Sequence, residues 1–176
     1  MSDADQSMDV SSFAQQVVSE YLDDEYQPSP NCLKTNGWAA LVLGDIINVM
    51  EAEWLSNAIR EIGATEIVGI VFEYNGEPKS QTVAVDRDSI LAFNWENCYL
   101  YVLLIDRGKR FLYYKDQGNH FCVLCGPSSF VRTANPCSYD SARKMYEGWA
   151  YDEFRKEEER QEYDRIWKKY AEFKSE

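Results

Sequence analysis

An α+β fold built on an antiparallel sheet follows from three features of this 176-residue chain. Residues 98–126, CYLYVLLIDRGKRFLYYKDQGNHFCVLCG, alternate aromatic and aliphatic runs with two short polar turns. Two short links in a row make an antiparallel meander, since parallel neighbours need a long crossover. A second hairpin pattern, with Asn75-Gly76 as its turn, lies just upstream. Apolar stripes at helical spacing come before and after. The expectation is a sheet of about five strands with the meander 98–126 at its centre, flanked by N-terminal helices and a long C-terminal helical segment. It divides the chain into an acidic N-terminal arm (1–9), one α+β domain (10–154) and a charged, amphipathic C-terminal helix (155–176).

Residues 1–9 are polar and expected to be disordered. Ser11-Ser12 can cap a helix carrying Phe13, Val17, Val18, Tyr21 and Leu22 on one face. Asp23-Asp24-Glu25, Pro28 and Pro30 end it, and 27–31 reads as a loop. Residues 37–44 are apolar and bracketed by glycines. A buried strand is the preferred reading, a helical piece the alternative. Asp45 or Asn48 then caps a helix through Ile62 with the stripe Met50, Trp54, Leu55, Ala58, Ile59 and Ile62, and Gly63 stops it. Residues 66–74 and 80–86 are paired strands, and Asp86 to Ser89 offers caps for a helix over 89–95.

The meander strands are 98–105, 110–115 and 120–125. Side chains alternate, so Tyr101, Leu103 and Ile105 share one face and Leu100, Val102 and Leu104 the other. Both faces are apolar, which predicts a central strand covered on both sides at least in part. The tyrosines of the second strand suggest that one face of the sheet is only half buried, its hydroxyls reaching water or a partner. The turns Asp106-Arg107-Gly108-Lys109 and Asp116-Gln117-Gly118-Asn119 each carry Gly, which supplies the positive φ that a short loop needs, and Asp or Asn, which supports such turns by bonding nearby backbone. Residues 126–129 resemble a helix start with Phe130 and Val131 inward. Ser138 can cap a helix with the stripe Ala142, Met145, Tyr146, Trp149, Ala150 and Phe154. The run 155–162, RKEEERQE, is polar and reads as solvated. A second stripe follows: Tyr163, Ile166, Trp167, Tyr170 and Phe173. A single helix over 138–174 would be about 55 Å long. It must bend near Gly148 or in the charged run and fold back, or else project and meet another chain.

The net charge is −12, and residues 1–30 contain seven acidic residues and no Lys or Arg. Nucleic-acid binding needs a basic field, so it is excluded as an expectation. No apolar run is long enough for a membrane span and no secretory signal is visible, which predicts a cytoplasmic protein with its five cysteines reduced. His120 is the only histidine. Cys122 and Cys125 have CxxC spacing, but a strand turns them to opposite faces, so neither a zinc site nor a redox pair is expected. No catalytic constellation, cofactor or metal emerges.

The leading expectation is a non-catalytic protein-binding domain that neutralises or regulates a basic protein partner, of immunity or antitoxin-inhibitor type. Acidity would speed association and aromatic side chains would anchor it. Candidate binding residues are Tyr99, Tyr101 and Tyr114 on the sheet and Trp167 and Tyr170 on the C-terminal helix. Ser128, Ser129 and Arg132 mark an alternative, a small-anion site or enzyme site at the strand-to-helix turn 125–132, with His120 at the sheet's end. Separately, Arg107, Lys109 and Arg110 form a basic cluster in one hairpin turn, and with Arg132, Arg143 and Lys144 near it they could hold a phosphate or an acidic partner loop. A third reading is a homodimer through the C-terminal helix.

Overall fold

The computed structural model describes residues 3–175, with side chains described from Ser12 onward. Among the described residues are seven α-helices and one six-stranded antiparallel sheet. The sheet order is β1-β6-β5-β4-β2-β3, with β1 (Ala39–Gly44), β2 (Glu66–Phe72), β3 (Lys79–Ala84), β4 (Tyr101–Ile105), β5 (Leu112–Lys115) and β6 (Phe121–Gly126). The meander β4–β6 lies at the centre, as expected. The sixth strand is β1, which pairs with β6 in the register Ala39↔Gly126 to Gly44↔Phe121.

Every strand of the meander presents two apolar faces, so the sheet is buried on both sides. One face holds Leu103, Ile105, Leu112, Tyr114, Val123 and Cys125. It is covered by α1 (Asp3–Tyr21), α2 (Pro30–Asn36) and α7 (Glu157–Tyr170), through Val17, Tyr21, Leu33, Tyr163, Ile166 and Tyr170. The other face holds Val102, Leu104, Phe111, Tyr113, Cys122 and Leu124. It is covered by α3 (Val49–Glu61), α4 (Arg87–Glu96) and α5 (Ser128–Ala134). The helix α6 (Tyr139–Ala150) closes the β1 edge and contributes to both cores: Tyr146 and Ala150 to one, Ala142 to the other. At the opposite edge β3 is mostly exposed and polar (KSQTVA), a composition that discourages pairing with a further strand.

Several expectations change in detail. Helix α1 is traced from Asp3, ahead of the Ser11-Ser12 start; of the arm 1–9, residues 1 and 2 lie outside the described residues. The loop read at 27–31 holds through Ser29, and α2 takes over at Pro30. Ser29 accepts a hydrogen bond from the Cys32 amide at 3.4 Å, and Pro30 occupies the first turn. Proline there costs nothing because that N–H has no helical partner, so Pro30 starts a helix rather than ending one. Gly37 closes it in the left-handed conformation at φ 62°. Met50, Met145 and Phe154 stand exposed instead of completing their stripes. The C-terminal segment breaks after α6 and α7 folds back on the sheet.

The two meander turns share one construction. In each, an aspartate accepts from the backbone two and four residues ahead and from the side chain four ahead. Asp106 takes Gly108 N at 3.2 Å, Arg110 N at 2.7 Å and Arg110 Nε at 2.7 Å. Asp116 takes Gly118 N at 3.0 Å, His120 N at 2.6 Å and His120 Nδ1 at 3.1 Å. The positive φ falls on Lys109 and Asn119, not on the glycines. Gly118 is needed for room instead: a Cβ there would lie 2.3 Å from the His120 ring.

Candidate functional site

A cleft of about 370 Å³ opens at one end of the sheet, on the face covered by α7. Its floor is aromatic: Tyr101 from the start of β4, Tyr114 from the end of β5, and Phe121 from the start of β6. Tyr114 lies between the other two, tilted 33° to Tyr101 and 42° to Phe121, with ring centroids at 6.4 Å and 5.8 Å. One wall is α7, which contributes Glu158, Glu159, Glu162, Tyr163 and Ile166. Another is the loop after α1, with Glu25 and Gln27. The β5–β6 turn adds Asp116 and His120. The lining thus has five carboxylates and a single basic side chain, His120.

Local structure holds each wall in place. The Asp23 carboxylate accepts from the amides of Glu25 and Gln27 at 3.0 and 3.1 Å, and Tyr170 donates its hydroxyl to Pro28 O at 2.9 Å. Arg165 ties the loop to the helix by bridging Glu25 at 2.9 Å and Glu162 at 2.7 Å. Lys169 repeats the tie through Asp23 at 2.6 Å and Gln27 at 2.7 Å. Glu158 makes no ion pair among the described residues. The hydrogen bond that the His120 imidazole donates to the Asp116 carboxylate holds its pKa above the ordinary value. The Arg165 guanidinium keeps the Glu162 carboxyl below its own.

Two polar atoms of the cleft region stand out. Lys115, at the end of β5, is 0 % exposed. Its ammonium donates to Cys98 O (3.2 Å), Leu100 O (2.9 Å), Asp116 O (3.1 Å) and Asn119 Oδ1 (2.8 Å). It pins the segment before β4 to the β5–β6 turn without a carboxylate partner. Tyr163 is 3 % exposed, and its hydroxyl has no hydrogen-bond partner among the described residues. Beside it the Arg155 guanidinium lies 4.2 Å from the Trp149 ring and 5.5 Å from the Tyr163 ring, with Glu159 at 4.0 Å. Trp149 in turn donates to His120 O at 2.9 Å and packs over Gly44, where a Cβ would come within 2.6 Å of its ring.

The sequence-derived candidates separate. Tyr101 and Tyr114 meet in the cleft. Tyr99 is 80 % exposed in the turn before β4, near the same end. Trp167 and Tyr170 serve packing: Trp167 lies 5.2 Å from Tyr146, and Tyr170 is in the core. Ser128, Ser129 and Arg132 sit beyond the far end of β6, about 20 Å of strand away from His120. The suggested grouping of His120 with these residues is therefore not formed. Arg107, Lys109 and Arg110 each pair with an acid, namely Glu66, Glu20 and Asp106. Cys122 and Cys125 face opposite cores, and burial pushes both thiols well above their ordinary value.

Glu25, Gln27, Asp116, Glu158, Glu159, Glu162 and Tyr163 are not among the binding residues that the sequence suggests. A signal existed for those on α7. Residues 158, 159, 162, 163 and 166 share one helical face, so the apolar stripe of Tyr163 and Ile166 continues upstream as acids. Compared with protein-family models, with curated proteins and with solved structures, the chain finds no match in any of the three.

Proposed function

We propose that this chain is a non-catalytic protein-binding domain that neutralises or regulates a basic protein partner, of immunity or antitoxin-inhibitor type, and that the acidic cleft is its grip. One observation carries the reading. Five carboxylates line a tyrosine-floored cleft at the end of the sheet where Tyr74, Trp95 and Tyr99 are also exposed. Acidic walls steer a basic partner and set its orientation, while solvent-facing aromatics supply contact area at low entropic cost.

The test is affinity capture from the host's lysate at low and high salt, with wild type and with a Glu158→Gln/Glu159→Gln variant. A basic protein retained by wild type at low salt, released at high salt and at least about tenfold weaker on the variant is the expected result, since desolvated charge pairs contribute a few kcal/mol. Equal retention by both proteins, or retention indifferent to salt, would overturn the reading.

A further inference from the structure

The cleft's chemistry can be narrowed further, resting on the protein-binding reading above. We infer that the cleft receives an arginine side chain of the partner, its guanidinium lying between the tyrosine floor and the α7 carboxylates.

Three observations point to a cationic donor, and the first and third to a planar one. The first is the lining, where Glu158, Glu159 and Glu162 stand on one helix face above Tyr101 and Tyr114. Guanidinium pairs with carboxylates through parallel N–H donors and stacks on aromatic rings, whereas ammonium is a compact, strongly hydrated point charge. The second is the Tyr163 hydroxyl, the one buried side-chain polar atom of the lining without a partner among the described residues. Buried polar groups almost always have a partner, and a guanidinium N–H entering beside the Tyr163 ring would supply one. The third is Arg155, the chain's own guanidinium. It lies against Trp149 and Tyr163 with Glu159 beside it, so the wall of the cleft already accommodates this group. The volume of about 370 Å³ is at the small end for ligand pockets, suited to one side chain rather than a folded segment.

The experiment titrates the isotope-labelled full chain with two blocked tripeptides, acetyl-Gly-Arg-Gly-amide and acetyl-Gly-Lys-Gly-amide, at low ionic strength, following amide resonances. The Arg peptide should give saturable shifts centred on residues 114–121 and 158–166, with a dissociation constant in the millimolar range. The Lys peptide should bind at least about fivefold more weakly. Glu158→Gln/Glu159→Gln should weaken the Arg peptide at least about fivefold. Tyr163→Phe keeps the ring and should reduce the preference for Arg over Lys while leaving the spectrum folded. No saturable shift at the cleft, or equal binding of both peptides, would overturn the inference. If that occurs while the captured partner still depends on Glu158 and Glu159, the protein-binding reading stands and only the guanidinium assignment falls. If the Arg peptide binds but no captured partner depends on those residues, the cleft holds guanidinium groups and the protein-partner reading fails with the inference that rests on it.

Discussion

Lys115 illustrates how a single side chain can carry more structure than its type suggests. In the sequence it ends an aromatic strand and looks like an ordinary surface lysine. In the fold its ammonium is enclosed and makes four hydrogen bonds, three of them to main-chain carbonyls. Burial lowers its pKa, but the carbonyl cage replaces the water it lost. Lys115→Met keeps the length of the side chain and removes every donor. The carbonyls of Cys98, Leu100 and Asp116 then lose that partner, at roughly 3 kcal/mol in total. For a chain of this size Tm should fall by roughly 6–12 °C. A thermal melt followed by circular dichroism checks it, and a loss under 2 °C would mean the cage is not structural. Tyr163 shows the opposite situation, a buried hydroxyl without a partner among the described residues.

The hairpins are the elements where sequence reasoning is right about placement and about the aspartates, and wrong only about which residue takes the positive φ. Turns are expected at 106–109 and 116–119 from their glycines and from Asp or Asn bonding the nearby backbone. An aspartate organises each turn as expected, but the residue after glycine takes the positive φ. In the second turn the same carboxylate holds His120. Its pKa is raised, so the protonated ring is favoured in the folded chain over the unfolded one. The pair's contribution is therefore fully present below the ordinary histidine value of about 6.5 and lost as pH rises through the raised folded value. The ring is half exposed, so screening limits the pair to about 0.5 kcal/mol, or about 1–2 °C in Tm. Melts of wild type and His120→Gln should differ most below pH 6 and converge at alkaline pH. A gap that instead widened with pH would show that the Asp116 contact is not an ion pair.

At the level of the whole molecule, α7 is part of the core and not an appendage. Tyr163, Ile166 and Tyr170 are each at most 3 % exposed and pack with β-sheet residues and with α6. Deleting everything after Glu159 removes all three. Losses of about 2–5 kcal/mol for each large buried side chain approach or exceed the usual net stability of about 5–15 kcal/mol. The shortened chain should show no cooperative melt and poor dispersion of amide resonances. A truncated protein that still melted cooperatively would place α7 outside the folding unit. The same packing uses Trp167 and Tyr170 internally, the residues from which a helix-mediated homodimer was read.

Alternating apolar strands, capped amphipathic helices and the central meander were legible because periodicity and turn chemistry are local properties of the chain. Both faces of β4 are apolar in the sequence, which asks for cover on both sides at least in part. The tyrosines of β5 suggest a half-buried face, whereas Tyr113 and Tyr114 are both buried under helices. Two caps, Asn48 and Ser138, were also readable and are found accepting from Glu51 N and Ser141 N. The cleft was not readable, for a different reason. Its walls come from positions 25–27, 101–121 and 158–166, which no local pattern connects. The run 155–162 looks solvated because acids usually are. Only the return of α7 onto the sheet turns Glu158, Glu159 and Glu162 toward Tyr114. Which charges share a cavity depends on long-range packing, and long-range packing has no signature in a short stretch of sequence.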